Sequence, residues 1–385
     1  MASLGNYSDI VTWRHHIHRH PELSFDVHVT AGFIEAKLRE FGCDEIVTGI
    51  GQTGLVGIIN GDGGGSRTIG LRSEMDALPI LEESGVPWAS ETPGSMHACG
   101  HDGHAAMLLG AAQALARDRN FSGRVAVIFQ PAEERGGGGR EMVKDGLMER
   151  FSIDAVYGMH NMPGLPVGHF AINAGPILAE TAEFDVKING RGGHAARPHA
   201  TIDPIVIAAQ ITLAAQTIAS RTIDPLDSIV VSITRFLAGE AYNVIAPEAT
   251  LRGTIRSLRA EDTKTAKERF QAICEGCAAM YGGSAEVTYY EGYPVTFNWA
   301  EQAEIARGAA RQVTAENDHI VSKRPAMGAE DFAFMLQKKP GAMIMIGNGE
   351  SEGLHHPKYD FNDEAIPYGV DYWLRLVSSE LPLSM

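Results

Sequence analysis

The sequence predicts an α/β fold built on a central mixed sheet and interrupted by a smaller α+β domain. Three observations carry that expectation. Strand-like and helical segments alternate along the first half of the chain, the pattern of an α/β sheet. From about residue 180 the order becomes β-α-β-β-α-β, a complete ferredoxin-like unit by itself. At 385 residues the chain is longer than one hydrophobic core usually organises. The expected domains are residues 1–179 with 291–385, and an inserted domain of residues 180–290.

Residues 8–41 carry apolar positions at helical spacing, with the turn HPELSF between two helices and Pro21 ending the first. EIVTGIGQTGLVGIING is strand-like and punctuated by glycine, and TIGLRSEMDAL is a strand after the loop GDGGGSR. GHAAMLLGAAQALARD is a buried, alanine-rich helix. GRVAVIFQPAEE is an apolar strand ending in two carboxylates, and DAVYGMHN is a strand ending at His160. In the inserted domain AEFDVKINGRGGH, DSIVVSITRFLAG, ATLRGTIRSL and SAEVTYYEG read as strands; DPIVIAAQITLAAQTIAS and DTKTAKERFQAICEGCAAMYG read as helices. PAMGAEDFAFML, GAMIMIGNG and EAIPYGVDYWLRLVSSEL then resume the helix–strand style. Ligands collect at the strand ends of open sheets of this kind.

Composition narrows the function classes. Hydrophobic residues at 44% and charged residues at 21% are an ordinary globular balance. The net charge of −16 argues against a nucleic-acid partner, which needs concentrated Lys and Arg, and equally against an anionic membrane surface. No stretch approaches the roughly 18 apolar residues of a membrane span. MASLGNYSDIVTWRHH has no basic start followed by an apolar run, so no signal peptide is expected. Cysteines at 43, 99, 274 and 277 are too few for a disulfide framework. The expectation is a soluble, cytoplasmic protein acting on a small molecule.

The densest chemistry lies in MHACGHDGHAA, where Cys99-x-His101 can place two metal ligands on one loop. A thiolate beside an imidazole suits zinc or another late divalent metal. A small buried cysteine and a backbone-bonded histidine would fit the same residues. His97 and His104 rank below them as ligands. QPAEERGGGGRE sets Glu133 and Glu134 side by side; adjacent residues of an extended segment point opposite ways, so one could bind metal while the other reaches substrate. A solvated acidic pair is the alternative. His160 after an apolar strand, His355 and His356 in GLHHPKYDFND, and Asp76 at a strand end are each unremarkable alone. Asp76 suits a carboxylate that orients a ligand. The histidines of WRHHIHRHPE fall in a helix and read as structural, and Cys274-x-x-Cys277 reads as helix packing. His194 follows two glycines in GRGGHAARPH, where a backbone can approach a ligand closely. Asn243 could clamp a small carboxylate together with an arginine, and Arg252 and Arg256 lie four apart on one strand, facing the same side. Surface arginines on a sheet explain the last pair as well.

The order of these motifs along the chain, from RHHIHRHPELSF through RSEMDALPI, MHACGHDGHAAMLLGAA, FQPAEE, GMHN, GRGGHAARPH, NVIAPEATLRGTIRS and GAEDFAFM to LHHPKYDFND, resembles one family. It is similar to the two-metal aminoacylases and carboxypeptidases, in particular the branch of hippurate hydrolases and indole-acetyl-amino-acid hydrolases. The resemblance spans about residues 12–375. It implies an N-acyl-amino-acid amidohydrolase whose inserted domain is a lid and dimerisation domain, making a homodimer or a dimer-based oligomer. It implies two divalent metal ions per chain, zinc or manganese first and cobalt or nickel as possibilities, held by Cys99, His101, Glu134, His160 and His355. Glu133 would be the general base and Asp76 the supporting carboxylate. His194 would reach the site from a lid, and Asn243 and Arg256 would hold the substrate's carboxylate. His355 rather than His356 is the implied ligand because it stands two residues before Pro357. Glu74 departs from the aspartate more usual in the branch, with little consequence expected. A dipeptidase or an N-acetyl-diaminopimelate-type deacetylase on the same scaffold, or a non-catalytic metal-dependent binding protein, are the competing readings.

Overall fold

The computed structural model describes residues 7–314 and 319–383. The chain forms two compact units, one from the described residues of Met1–Gly175, Phe297–Arg324 and Asp331–Met385, the other from Pro176–Thr296 and Pro325–Glu330.

The first unit is organised by an eight-stranded mixed sheet in the order Glu45–Ile50, Gly54–Asn60, Arg124–Gln130, Thr68–Glu74, Ala155–Met162, Gly341–Gly347, Phe170–Ala171, Ile320–Val321. Its four central strands run parallel, and the hairpin of the first two strands is antiparallel. Every residue of Thr68–Glu74 is buried, as is all but the first of Arg124–Gln130. Strands covered on both faces read as continuous apolar runs, which is why these two were visible in the sequence. Parallel alignment brings the carboxyl ends of Thr68–Glu74, Arg124–Gln130 and Ala155–Met162 to one edge of the sheet. Asp76, Glu133 and His160 are therefore delivered to that edge together.

The helix His101–Arg117 is buried along nearly its whole length. Its alanines and glycines let Ser8–Arg19, His28–Phe41 and Ile366–Glu380 pack closely around it. Arg14 and His18, from the histidine-rich first helix, face inward. Arg14 Nε donates to Asp102 Oδ2 at 2.7 Å, His18 Nδ1 lies 2.7 Å from the same oxygen, and Arg14 Nη2 reaches Asp360 Oδ1 at 2.5 Å. His18 Nε2 meets Glu82 Oε1 at 3.2 Å. These charges tie the first helix to the start of His101–Arg117 and to the loop near Asp360, the structural role expected for that motif.

Two stretches differ from expectation. Residues 325–336, grouped with the helix–strand style of the last part of the chain, form only the four-residue helix Ala333–Leu336. Asp331 is spent instead on Gly139 N, Gln130 and Arg72, which holds the segment as a loop. The helix Ala300–Arg311 was not distinguished in the sequence. Among the described residues no helix is long and apolar enough to cross a membrane.

The second unit has the order β-α-β-β-α-β. Its antiparallel sheet runs Ile229–Ala238, Glu248–Ser257, Glu180–Asn189, Ser284–Glu291. Ala182, Phe184, Val186 and Ile188 alternate inward along the central strand and form a core with residues of Pro204–Thr217 and Ala260–Met280. Cys274 is buried in that core, so the cysteine pair packs the helix as expected. Pro325–Glu330 belongs to this unit because Ala179 N donates to Gly328 O at 2.8 Å and Leu178 bridges Ala326.

The Arg14–Asp102–His18 cluster makes stability depend on pH. Burial lowers the His18 pKa, but Asp102 and Glu82 outweigh it and raise the folded value to about 9, above the unfolded value near 6.5. A raised folded pKa gives stability that is complete below about 6.5 and lost as pH climbs through about 9. Denaturant unfolding across that interval is expected to lose on the order of 2–3 kcal/mol, and His18→Gln to remove most of that dependence.

Candidate metal centre

Gly100 sets up the centre. It caps His101–Arg117 in the left-handed region, at φ 87°. A Cβ there would stand 2.2 Å from Asn161 Nδ2 and 2.6 Å from Tyr359 Oη. Only glycine lets the chain turn tightly enough to carry Cys99 and His101 on one loop.

His101 Nδ1 donates to the carbonyl oxygen of Asp76 at 2.8 Å, so Nε2 is the ring nitrogen left to bind an ion once it is deprotonated. That nitrogen is buried and has no hydrogen-bond partner. His160 is arranged the same way. Its Nδ1 donates to the Asn161 carbonyl at 2.8 Å, and its Nε2 lies 3.4 Å from Cys99 Sγ. The donor atoms of Cys99, His101 and His160 lie within 4.8 Å of one another. So do those of Cys99, Glu134 and His355, and those of His101, Glu133 and Glu134. The three groups overlap at Cys99, His101 and Glu134, which is the pattern of adjacent ion positions sharing ligands.

Asp76 Oδ1 stands 3.7 Å from His101 Nδ1, and the residue makes further contacts. Its carbonyl orients His101, while its carboxylate accepts the backbone N–H of Glu133 at 3.0 Å and of Glu134 at 3.1 Å. That grip corrects the expectation for the two glutamates. The strand ends at Gln130, Ala132 takes φ 54°, and the chain turns. Glu133 and Glu134 therefore do not diverge across a strand; both carboxylates share the vicinity of His101.

His355 also sits at a positive φ, 66°, where a histidine is uncommon. Its N–H donates to Ala98 O at 2.8 Å, which pins the strained residue beside the Cys99 loop, and its Nε2 lies 3.3 Å from Glu134 Oε1. His356 turns elsewhere: its Nδ1 accepts Lys358 N–H at 3.1 Å, and it joins no ligand group among the described residues. His97 is buried outside these groups. Glu74 is fully buried, pairs with Arg72 and meets His104 Nδ1 at 3.0 Å. His104 was legible as a neighbour, since it lies three residues after His101 on one helix face; nothing local to Asn161 or Tyr359 signalled their part.

The electrostatics suit ligands that must be stripped of protons. Burial, with Glu134 and Glu133 nearby, pushes the Cys99 thiol well above its ordinary value. Burial works against a charged His101, yet Asp76 and Glu74 outweigh it and raise the ring to about 10. Burial together with His104 lowers His160 to about 3, keeping it neutral. Burial opposes ionisation of Glu134, but His355 and His101 hold it below the usual carboxylate range. A thiol, three imidazoles and carboxylates around a buried, partnerless nitrogen fit late divalent ions.

The remaining sequence-level candidates lie in the second unit. The pair Gly193–His194 and Val244–Ile245 brings His194 beside Asn243, whose carbonyl accepts Ala195 N–H at 3.0 Å. His194 Nδ1 accepts Ala196 N–H at 3.1 Å, leaving the ring proton on the exposed Nε2. Arg256 shares its strand face with Arg252. Its Nη1 donates to Met327 O at 2.7 Å, and Arg252 pairs with Asp185.

Residues 70–379 match the family model described as peptidase family M20/M25/M40. A hippurate hydrolase of Campylobacter jejuni is 39% identical over 94% of this chain and 94% of its own length. An N-acetylcysteine deacetylase of Bacillus subtilis is 36% identical over 98% of each. A Bacillus subtilis crystal structure, described as a dinuclear metal binding peptidase from the M20 family, superposes with a TM-score of 0.86 at 34% identity, covering 98% of this chain and 99% of that one.

Gly100→Ala should lower unfolding stability by at least about 1–2 kcal/mol from the left-handed backbone alone, with more from the overlap at Asn161. Chemical denaturation of the metal-free protein checks this.

Proposed function

The chain belongs to peptidase family M20/M25/M40, and we propose that it is a metal-dependent amidohydrolase that splits N-acyl amino acids into a carboxylic acid and a free amino acid. The observation that carries this reading is the set of overlapping donor groups around Cys99 with a second carboxylate, Glu133, beside them. A structural metal site closes four ligands around one ion, whereas shared donors with a spare carboxylate leave positions open for chemistry.

Cys99, His101, Glu134, His160 and His355 would hold two divalent ions, zinc or manganese in the first instance. When bound, the ions supply charge that polarises the scissile carbonyl and brings a water's pKa toward neutrality. Glu133 takes the proton of the attacking water and hands it to the departing nitrogen, so the leaving group departs as an amine. Asp76, gripping Glu133 and Glu134 by their backbones, fixes both carboxylates relative to His101. As the family resemblance implies, His194, whose ring proton is on Nε2, would donate to the oxyanion, a contribution of about 3 kcal/mol for such a donor. The Asn243 amide and the Arg256 guanidinium match the α-carboxylate of the released amino acid. The inserted unit as lid and dimerisation surface and the homodimer or dimer-based oligomer rest on the family resemblance, and the cytoplasmic location rests on the cysteine usage and the N-terminal sequence; together they complete the reading.

Glu133→Gln is expected to retain the metal content of the wild type and to lose about 10²–10⁴-fold in turnover of an N-acyl amino acid. Near-normal turnover would remove Glu133 from the base role. Because Cys99 and His101 both keep their protons at pH 7 in the metal-free protein, zinc binding should release two protons per chain from this pair. Calorimetry in buffers of different ionisation enthalpy reads that release, and affinity should fall as pH is lowered.

A further inference from the structure

His104 has both ring nitrogens committed. The backbone N–H of Asn161 donates to its Nε2 at 2.9 Å, and the Asn161 side-chain nitrogen lies 3.1 Å from the same atom. Nε2 is therefore an acceptor, and the ring hydrogen sits on Nδ1, from which it is donated to Glu74 Oε2 at 3.0 Å. Glu74, His101 and His104 come close enough to pass for a ligand trio, but no lone pair of His104 remains for an ion. Glu74 is itself anchored by Arg72, which also donates to Gln130 Oε1 at 2.8 Å and to Asp331 Oδ1 at 3.0 Å.

The other end of this chain of bonds reaches two of the proposed ligands. Asn161 Nδ2 donates to the Cys99 carbonyl at 2.6 Å, and Asn161 Oδ1 accepts the Tyr359 hydroxyl at 2.8 Å. Asn161 follows His160 in the strand, and its carbonyl holds His160 Nδ1. The His104 ring also packs against the His160 ring, with centroids 4.6 Å apart and planes at 64°. We propose that His104, braced by Glu74, is a positioning residue whose hydrogen bonds to Asn161 set the spacing between Cys99 Sγ and His160 Nε2. The inference rests on the metal reading above. Its substance is that Glu74, His104 and Asn161 act as one unit on two ligands borne by different segments.

The test is a cobalt(II) titration of metal-stripped full-length protein, read by visible absorption including the thiolate-to-cobalt charge-transfer band. His104→Leu keeps bulk beside His160 and offers no hydrogen bond; His104→Gln retains an acceptor for the Asn161 N–H. His104→Leu is expected to weaken cobalt binding by about 10–100-fold and to shift the band, with His104→Gln closer to wild type. If His104→Leu does not fold, Tyr359→Phe, which removes only the bond to Asn161 Oδ1, should shift the band in the same direction by less. Wild-type spectra and affinities in the folded variants, or equal losses in Leu and Gln, would overturn the positioning role while leaving the amidohydrolase reading in place. A wild type that binds no cobalt would overturn both. Cobalt binding without amino-acid release would overturn the amidohydrolase reading alone.

Discussion

Asp76 holds the candidate site together. It follows a fully buried parallel strand and uses both halves of the residue at once. Its carbonyl takes His101 Nδ1–H, and its carboxylate takes the N–H groups of Glu133 and Glu134. One residue thus orients an imidazole from the helix through its backbone carbonyl, and through its side chain holds the turn that presents two glutamates from another strand. A buried carboxylate is costly unless hydrogen-bonded, and here both of its oxygens are. Loss of that carboxylate would leave two backbone donors unpaired and the glutamate turn free to relax toward the extended course the bare sequence suggests.

The surroundings carry more charge than a core usually tolerates. Arg14, Arg72, Glu74, Asp102 and Asp331 are all fully or nearly fully buried, and each is paired. Replacing such pairs by apolar groups is often neutral or stabilising, so their presence is weak evidence for stability as such. Their placement is more informative. The Arg72–Glu74 pair lies beneath His104, and the Arg14–Asp102 pair lies one residue beyond His101. Charge is concentrated where side chains must be held in one orientation, on rigid elements, with strain admitted at Ala132 and His355.

The architecture was largely legible because its signals are local. Fully buried strands read as apolar runs, the alanine-rich helix as a packed one, and the second unit's strand–helix order as a ferredoxin-like domain. Cys99 and His101 stood out through density, and the glutamate pair through position. The residue-level geometry was less legible. Glu133 and Glu134 converge because a carboxylate 57 residues upstream in sequence binds their backbones, and no periodicity encodes such a contact. Glu74 looked like a minor departure until its partners, Arg72 and His104, were placed around it. Asp331 sat in a stretch grouped with the helix–strand style of the last part of the chain, which long-range bonds hold as a loop. In each case a non-local hydrogen bond overrides a local preference.

The measurement that bears most directly on the account is amino-acid release from N-benzoylglycine and N-acetyl amino acids by metal-stripped protein, before and after zinc or manganese is added back. The account predicts no release without metal and restored release with it, the preferred substrate reporting the size of the acyl pocket. Two ions bound per chain with no release from any N-acyl amino acid would contradict it.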